Sequence, residues 1–123
     1  MLIDSNIIIY AAKPEHTSLR QFIATHVPAV SAVSKIEVLG FHRLTQEERE
    51  HFEEFFGATT VLPISDAVVA TAISLRQIRK MSLGDSLIAA TALEFDHKLI
   101  TRNISDFVWV ADLVVEDPFQ TPP

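Results

Sequence analysis

The chain has 123 residues, 48% hydrophobic and 21% charged, which suits one domain with a buried core and is too apolar for a disordered acidic segment. It has no cysteine, which excludes a disulfide scaffold and a thiolate zinc site, and its three glycines (Gly40, Gly57, Gly84) cannot write a glycine-rich phosphate loop or dinucleotide fingerprint. Ten Lys and Arg against sixteen Asp and Glu give a formal net charge of −6, which argues against a general phosphate-gripping nucleic-acid binder but not against acids gathered around a metal ion.

The apolar runs are too short to span a bilayer, and no basic region followed by an apolar stretch opens the chain. We expect a soluble, cytoplasmic protein with no membrane partner, folded as one domain over residues 1–119 with a loose tail at 120–123.

Met1-Leu2-Ile3 is a short apolar run stopped by Asp4-Ser5-Asn6, which reads as a buried strand. Ile7 to Tyr10 fits a short helix capped by Ser5 or Asn6, although it could also prolong the strand. From His16 to Val27, Leu19, Phe22, Ile23 and His26 recur at helical spacing until Pro28 stops the helix, with His26 expected to be half-buried. Ala29-Val30-Ser31 reads as the second strand, followed by a helix from Ser34 to Phe41. Thr45 and Glu48 stand at capping-box spacing before Phe52, Phe55 and Phe56, and Gly57 ends that helix. The phenylalanines could pack in the core or offer a partner an apolar surface; normal helix amphipathicity favours the core.

Thr59 to Ile64 reads as the third strand, and Ser65 caps a helix running to about Lys80. Gly84-Asp85-Ser86 opens a helix from Leu87 to Phe95, apolar nearly all round and therefore buried. Lys98 to Thr101 reads as the fourth strand, Asn103-Ile104-Ser105 as a polar turn, and Phe107 to Val115 as a last apolar stretch. Strands alternating with helices imply an α/β fold, with a central, mostly parallel sheet of four to five strands flanked by helices. Ligands bind such folds beyond the carboxyl ends of the strands. Asp4 and Asn6, Ser31 and Ser34, and the stretch from Thr101 to Asp106 all fall there.

Several acids in this frame have competing explanations. Asp4 could cap the next helix, but Ser5 and Asn6 could do that instead. Glu37 sits among Ile36, Leu39 and Phe41; if these face inward, the carboxylate is costly unless paired or metal-bound, and otherwise it lies on an exposed stripe near Lys35. Asp85 is favoured by the helix dipole alone, yet a buried helix would hold it as rigidly as a metal ligand must be held. Asn103 and Asp106 could be plain turn chemistry. Together, three or four carboxylates without a His–Cys set suit a hard cation, Mg²⁺ or Mn²⁺. His16, His26, His42, His51 and His97 have no metal-ligand spacing, and no Ser–His–Asp set is legible.

Four stretches then resemble the motifs of PIN-domain ribonucleases, in order and across nearly the whole chain: Leu2 to Ile8 around Asp4, Val33 to Leu39 around Glu37, Leu83 to Ala92 from Asp85, and Leu99 to Phe107. The short form is similar to the VapC-type toxins of toxin–antitoxin pairs. Many members of that family carry an acid where this chain has Asn103, with a further Asp three residues on; here only Asp106 is acidic.

The resemblance implies a PIN-like domain and metal-dependent endoribonuclease activity. It assigns Asp4, Glu37, Asp85 and Asp106 as catalytic, with Asp4, Asp85 and Asp106 holding Mg²⁺ or Mn²⁺. Ser5, Asn6, Thr101 and Asn103 would orient these ligands, and Arg102 or Lys35 would touch the RNA. A cognate antitoxin and a homodimer are the implied protein partners. Two alternatives remain from the residues themselves. A strand ending in Asp-x-Asp opens phosphohydrolases of the haloacid dehalogenase type, although here the third position is Asn6. The chain could also be a non-catalytic protein-interaction module.

Overall fold

The structure, a computed structural model, describes residues 1–119; the tail expected at 120–123 lies outside the described residues. Five two-residue strands form its centre: β1 (Leu2–Ile3), β2 (Val30–Ser31), β3 (Val61–Leu62), β4 (Leu99–Ile100) and β5 (Val115–Glu116). All of their pairings are parallel, in one ladder of β1, β4 and β5 and another of β2 and β3. A bridge from Leu2 to Ala29 joins the ladders, with Ile3 N–H donating to Ala29 O at 3.1 Å and Ala29 N–H to Met1 O at 2.9 Å. The strand order is therefore β3-β2-β1-β4-β5.

Parallel neighbours need crossovers, and helices supply them. Helices α1 (Ser5–Ala11) and α2 (Thr17–His26) link β1 to β2, while α3 (Ala32–Leu39) and α4 (Gln46–Gly57) link β2 to β3. Helices α5 (Asp66–Ile78) and α6 (Leu83–Glu94) link β3 to β4, and the single turn α7 (Ile104–Phe107) lies between β4 and β5.

Successive strand residues point to opposite faces of the sheet. Leu2 and Leu99 accordingly join Ile88, Ala89, Ala92 and Phe107 on the α6 side. Ile3 and Ile100 join Ile7, Val30, Phe52 and Phe56 on the α1 and α4 side. Burial on both faces is why these strands read as unbroken apolar runs.

Helix starts follow the caps. Ser31, Ser65 and Ser82 each accept a backbone N–H of the helix that they open, and Thr45 and Glu48 form a reciprocal capping box. Phe52 and Phe56 are buried and Phe55 is half-buried, so the phenylalanines of α4 serve the core. No helix among the described residues is long and apolar enough to cross a membrane.

Several local expectations need correction. Helix α6 begins at Leu83 under the Ser82 cap, ahead of the expected Gly84 opening. The expected turn at 103–105 winds into α7, and the last apolar stretch divides between the end of α7 and β5. His26 is exposed beside Phe22, its ring 4.4 Å away, because Leu19 carries the buried face of α2. Ile36 and Phe41 face solvent, since α3 turns Val33, Ser34 and Val38 inward.

Candidate acidic site

In the order β3-β2-β1-β4-β5, the chain leaves β1 towards β2 on one side and meets β4 on the other. A crevice opens at such a switch point, beyond the carboxyl ends of the two strands. Asp4 follows β1 and Thr101 follows β4 at this position.

Asp4 occupies the N-cap position of α1, but its side chain makes no capping hydrogen bond. Instead Thr101 Oγ1 donates to Asp4 Oδ2 at 2.8 Å while accepting from the backbone N–H of Asn103 at 3.0 Å. With only 4% of Asp4 exposed, burial pushes its carboxyl above the ordinary range. The Thr101 hydroxyl pulls the other way, while the charge of Glu37 adds to the rise.

Glu37 lies on the exposed side of α3, yet its carboxylate turns back towards α1. Ser5 Oγ donates to Glu37 Oε1 at 2.8 Å and lies 2.9 Å from Ser34 Oγ. A hydroxyl has one proton, so with Ser5 donating to the carboxylate, Ser34 is left to donate to Ser5. On its other side Glu37 meets Gly84, where a Cβ would stand 2.9 Å from Glu37 Oε2. Glycine thus leaves the room that lets α3 present this acid beside the start of α6.

Asp85 sits in the first turn of α6, its backbone N–H bonded to Ser82 Oγ at 3.1 Å. Burial raises its carboxyl first, followed by the charges of Asp4, Asp106 and Glu37, and the Ser82 hydroxyl partly offsets them. Asp85 is thus within electrostatic reach of all three other acids. Asp106, exposed on α7, lines a cleft of about 210 Å³ with Asp85.

Among the described residues the one ion pair is Lys98 with Glu116 at 2.8 Å, so none of these four acids has a cationic partner. Nor do any three acid or imidazole side chains among them stand together as a ready ligand set for an ion. The arrangement is a shared negative field rather than a closed coordination shell. Its all-oxygen chemistry fits a hard cation such as Mg²⁺, which keeps several waters and needs only one or two direct carboxylates.

The remaining expected residues divide. Thr101 and Ser5 touch the acids directly, whereas Asn6 is exposed on α1. Asn103 is exposed at the start of α7 and reaches the site through its backbone alone. Lys35 is exposed on α3. The Arg102 guanidinium lies over the rings of Tyr10, at 5.1 Å, and Phe119, at 4.5 Å. Sequence reasoning did not single out Gly84 as a packing residue, nor Arg79, Lys80, Ser82 and Trp109, which share the Asp85 and Asp106 cleft. Ser82 was open to detection as a cap, whereas the others depend on contacts distant in sequence.

The sequence matches the family described as PIN domain over residues 1–112. No curated protein matches the chain. Among solved structures, a toxin–antitoxin complex from Klebsiella pneumoniae contains a chain 26% identical to this one, with a TM-score of 0.74 covering 92% of this chain and 94% of that one. DNA-bound VapBC from Salmonella typhimurium aligns at 17% identity and TM-score 0.83, covering 94% of this chain and 96% of that one. FitAcB from Neisseria gonorrhoeae aligns at 20% identity and TM-score 0.80, covering 98% and 99% respectively. The last two likenesses carry the fold.

Proposed function

The chain belongs to the PIN domain family, and from that membership we propose that it is a metal-dependent endoribonuclease, the cytoplasmic toxin of a VapBC-type toxin–antitoxin pair. The observation that carries this reading is that Asp85 feels the charges of Asp4, Asp106 and Glu37, while none of these four acids is ion-paired among the described residues. Like charges held close are destabilising unless a cation offsets them, so the fold has kept a feature that makes sense when an ion is bound. With the PIN assignment, the phosphohydrolase alternative loses its basis in the opening motif.

Asp4 and Asp85 would hold Mg²⁺ or Mn²⁺ directly, with Asp106 acting through water. When bound, such an ion supplies a water of lowered pKa and offsets charge growing on the phosphate. The chain's own groups set the stage. Thr101 fixes the rotamer of Asp4 by donating to Oδ2, and its own orientation is fixed by the Asn103 N–H. Ser5 holds Glu37 aimed at the site by donating to Oε1, where that carboxylate can take a proton from an attacking water. The Ser82 cap fixes the first turn of α6 and with it Asp85.

A protein partner is supported by the apolar surface that the fold leaves open. Val69 and Ile73 on α5, with Leu83 at the start of α6, line a groove of about 690 Å³. The aligned chain from Klebsiella pneumoniae is part of a toxin–antitoxin complex. We assign a cognate antitoxin and a second copy of the chain as the partners of this one. The deciding experiment expresses wild type and Asp4→Asn side by side, scoring growth arrest and fragments in total RNA. Arrest and fragments with wild type alone support the nuclease; equal fragments from a folded Asp4→Asn protein overturn it.

A further inference from the structure

Resting on the nuclease reading, we infer that Arg79 binds an RNA phosphate next to the acidic site and that Trp109 is the positioning residue that aims it. The two residues share one cleft with Asp85 and Asp106, together with Lys80 and Ser82. Arg79 ends α5, and the short loop from there to the Ser82 cap is tied down by Arg76 Nε donating to Met81 O at 3.3 Å. Its guanidinium carbon lies 5.4 Å from the centre of the Trp109 ring. Trp109 is itself fixed, because its indole N–H donates to Asp106 O at 2.9 Å and its body packs on the core beside α6.

The informative point is what Arg79 does not do. It shares a cleft with two carboxylates, yet the one ion pair among the described residues lies elsewhere. A guanidinium held over an aromatic face is attracted through its plane, which leaves the N–H fork at its edge free. That fork matches two phosphate oxygens. In a chain of net charge −6, RNA needs a local cation to approach a cluster of acids, and Arg79 and Lys80 supply two within the same cleft. Arg102, by contrast, is stacked near Tyr10 at the far end of α1, about 9 Å of helix from Asp4 at 1.5 Å per residue.

The test is steady-state cleavage of an unstructured single-stranded RNA by the intact protein over a series of salt concentrations. Arg79→Ala should raise KM about tenfold, the size expected for one charged hydrogen bond, with little change in kcat. It should also flatten the dependence of log kcat/KM on log salt by about 0.7, the contribution of one phosphate contact on a single strand. Arg49→Ala makes the same charge change on α4, outside the cleft, and should leave KM and slope as they are. Trp109→Leu should raise KM while keeping the full slope, since the charge remains, and Trp109→Phe should restore KM by returning a ring. If wild type cuts but Arg79→Ala matches Arg49→Ala in KM and slope, Arg79 is a surface charge and the inference falls while the nuclease stands. If wild type cuts no RNA, both fall.

Discussion

Gly84 is where stability and activity should separate. Alanine at this position gains helix propensity, worth up to about 1 kcal/mol in a helix interior and less in a first turn. The new Cβ would meet only the far end of a flexible side chain, Glu37 Oε2 at 2.9 Å, so the fold can yield by moving that carboxylate. Gly84→Ala should therefore melt no lower than wild type while RNA cleavage falls about 10- to 100-fold, as when a ligand-orienting contact is lost. A thermal melt read alongside cleavage checks it, and wild-type cleavage would mean that Glu37 need not sit where Ser5 holds it. The carboxyls of Asp4 and Asp85 bear on stability in the opposite sense to most surface acids. Both are raised, burial being the first cause, so the metal-free native state holds their protons more tightly than the unfolded chain does. Stability is then full below the ordinary carboxylate range and declines as pH rises through the raised native values. At neutral pH, Asp4→Asn and Asp85→Asn should leave the metal-free protein as stable as wild type or more so in urea unfolding, while abolishing cleavage. Asp4 stood out as an acid directly after a buried apolar strand, although Asp4 itself, rather than Ser5 or Asn6 as expected, takes the N-cap position of α1. Gly84 did not, because its importance lies in a contact with α3 that no local pattern records.

At the scale of elements, caps and breaks were legible and short pieces were not. Ser65 and the Thr45–Glu48 pair start their helices where the sequence places them, since a cap is a local bargain between a side chain and the next few N–H groups. Helix α7 is a single turn, held by its packing through the buried Phe107 rather than by propensity, so its residues read as a turn. The end of α2 hides a strained residue. Val27 adopts φ 46° and ψ 58°, the left-handed region where β-branched side chains clash, and it does so to close the helix with its N–H on Ile23 O at 2.9 Å. Its side chain is largely exposed, so nothing in the core would be lost with it. Val27→Gly should stabilise the protein by about 1 kcal/mol, the low end of the range for such strain, and leave RNA cleavage unchanged. Unfolding in denaturant measures this; a destabilised variant would mean that the stiffness of valine in the unfolded chain outweighs the strain.

For the whole molecule, alternating strands and helices announced a parallel sheet, but the placement of β4 beside β1 did not follow from the sequence. Each strand has two residues, too few for its own pattern to name a neighbour, and the pairing of Leu2 with Leu99 joins residues 97 apart in the sequence. That closure creates the switch point and sets Thr101 against Asp4, so the site depends on the fold being complete. A ligand that binds only the native state stabilises it by RT ln(1 + [L]/Kd), about 2.7 kcal/mol at a hundredfold excess over Kd. Mg²⁺ should accordingly raise the melting temperature of wild type in a concentration-dependent way at neutral pH. Asp4→Asn and Asp85→Asn, each lacking one acid, should melt higher than wild type without Mg²⁺ but gain less from it, so that the curves cross as Mg²⁺ increases. Acid should abolish the gain first in wild type, because protons compete with the cation for carboxyls already shifted upward. Equal Mg²⁺ shifts in all three proteins would place any bound cation away from the switch point. A crossing would mark these acids as the place where the fold gives up stability that the cation returns.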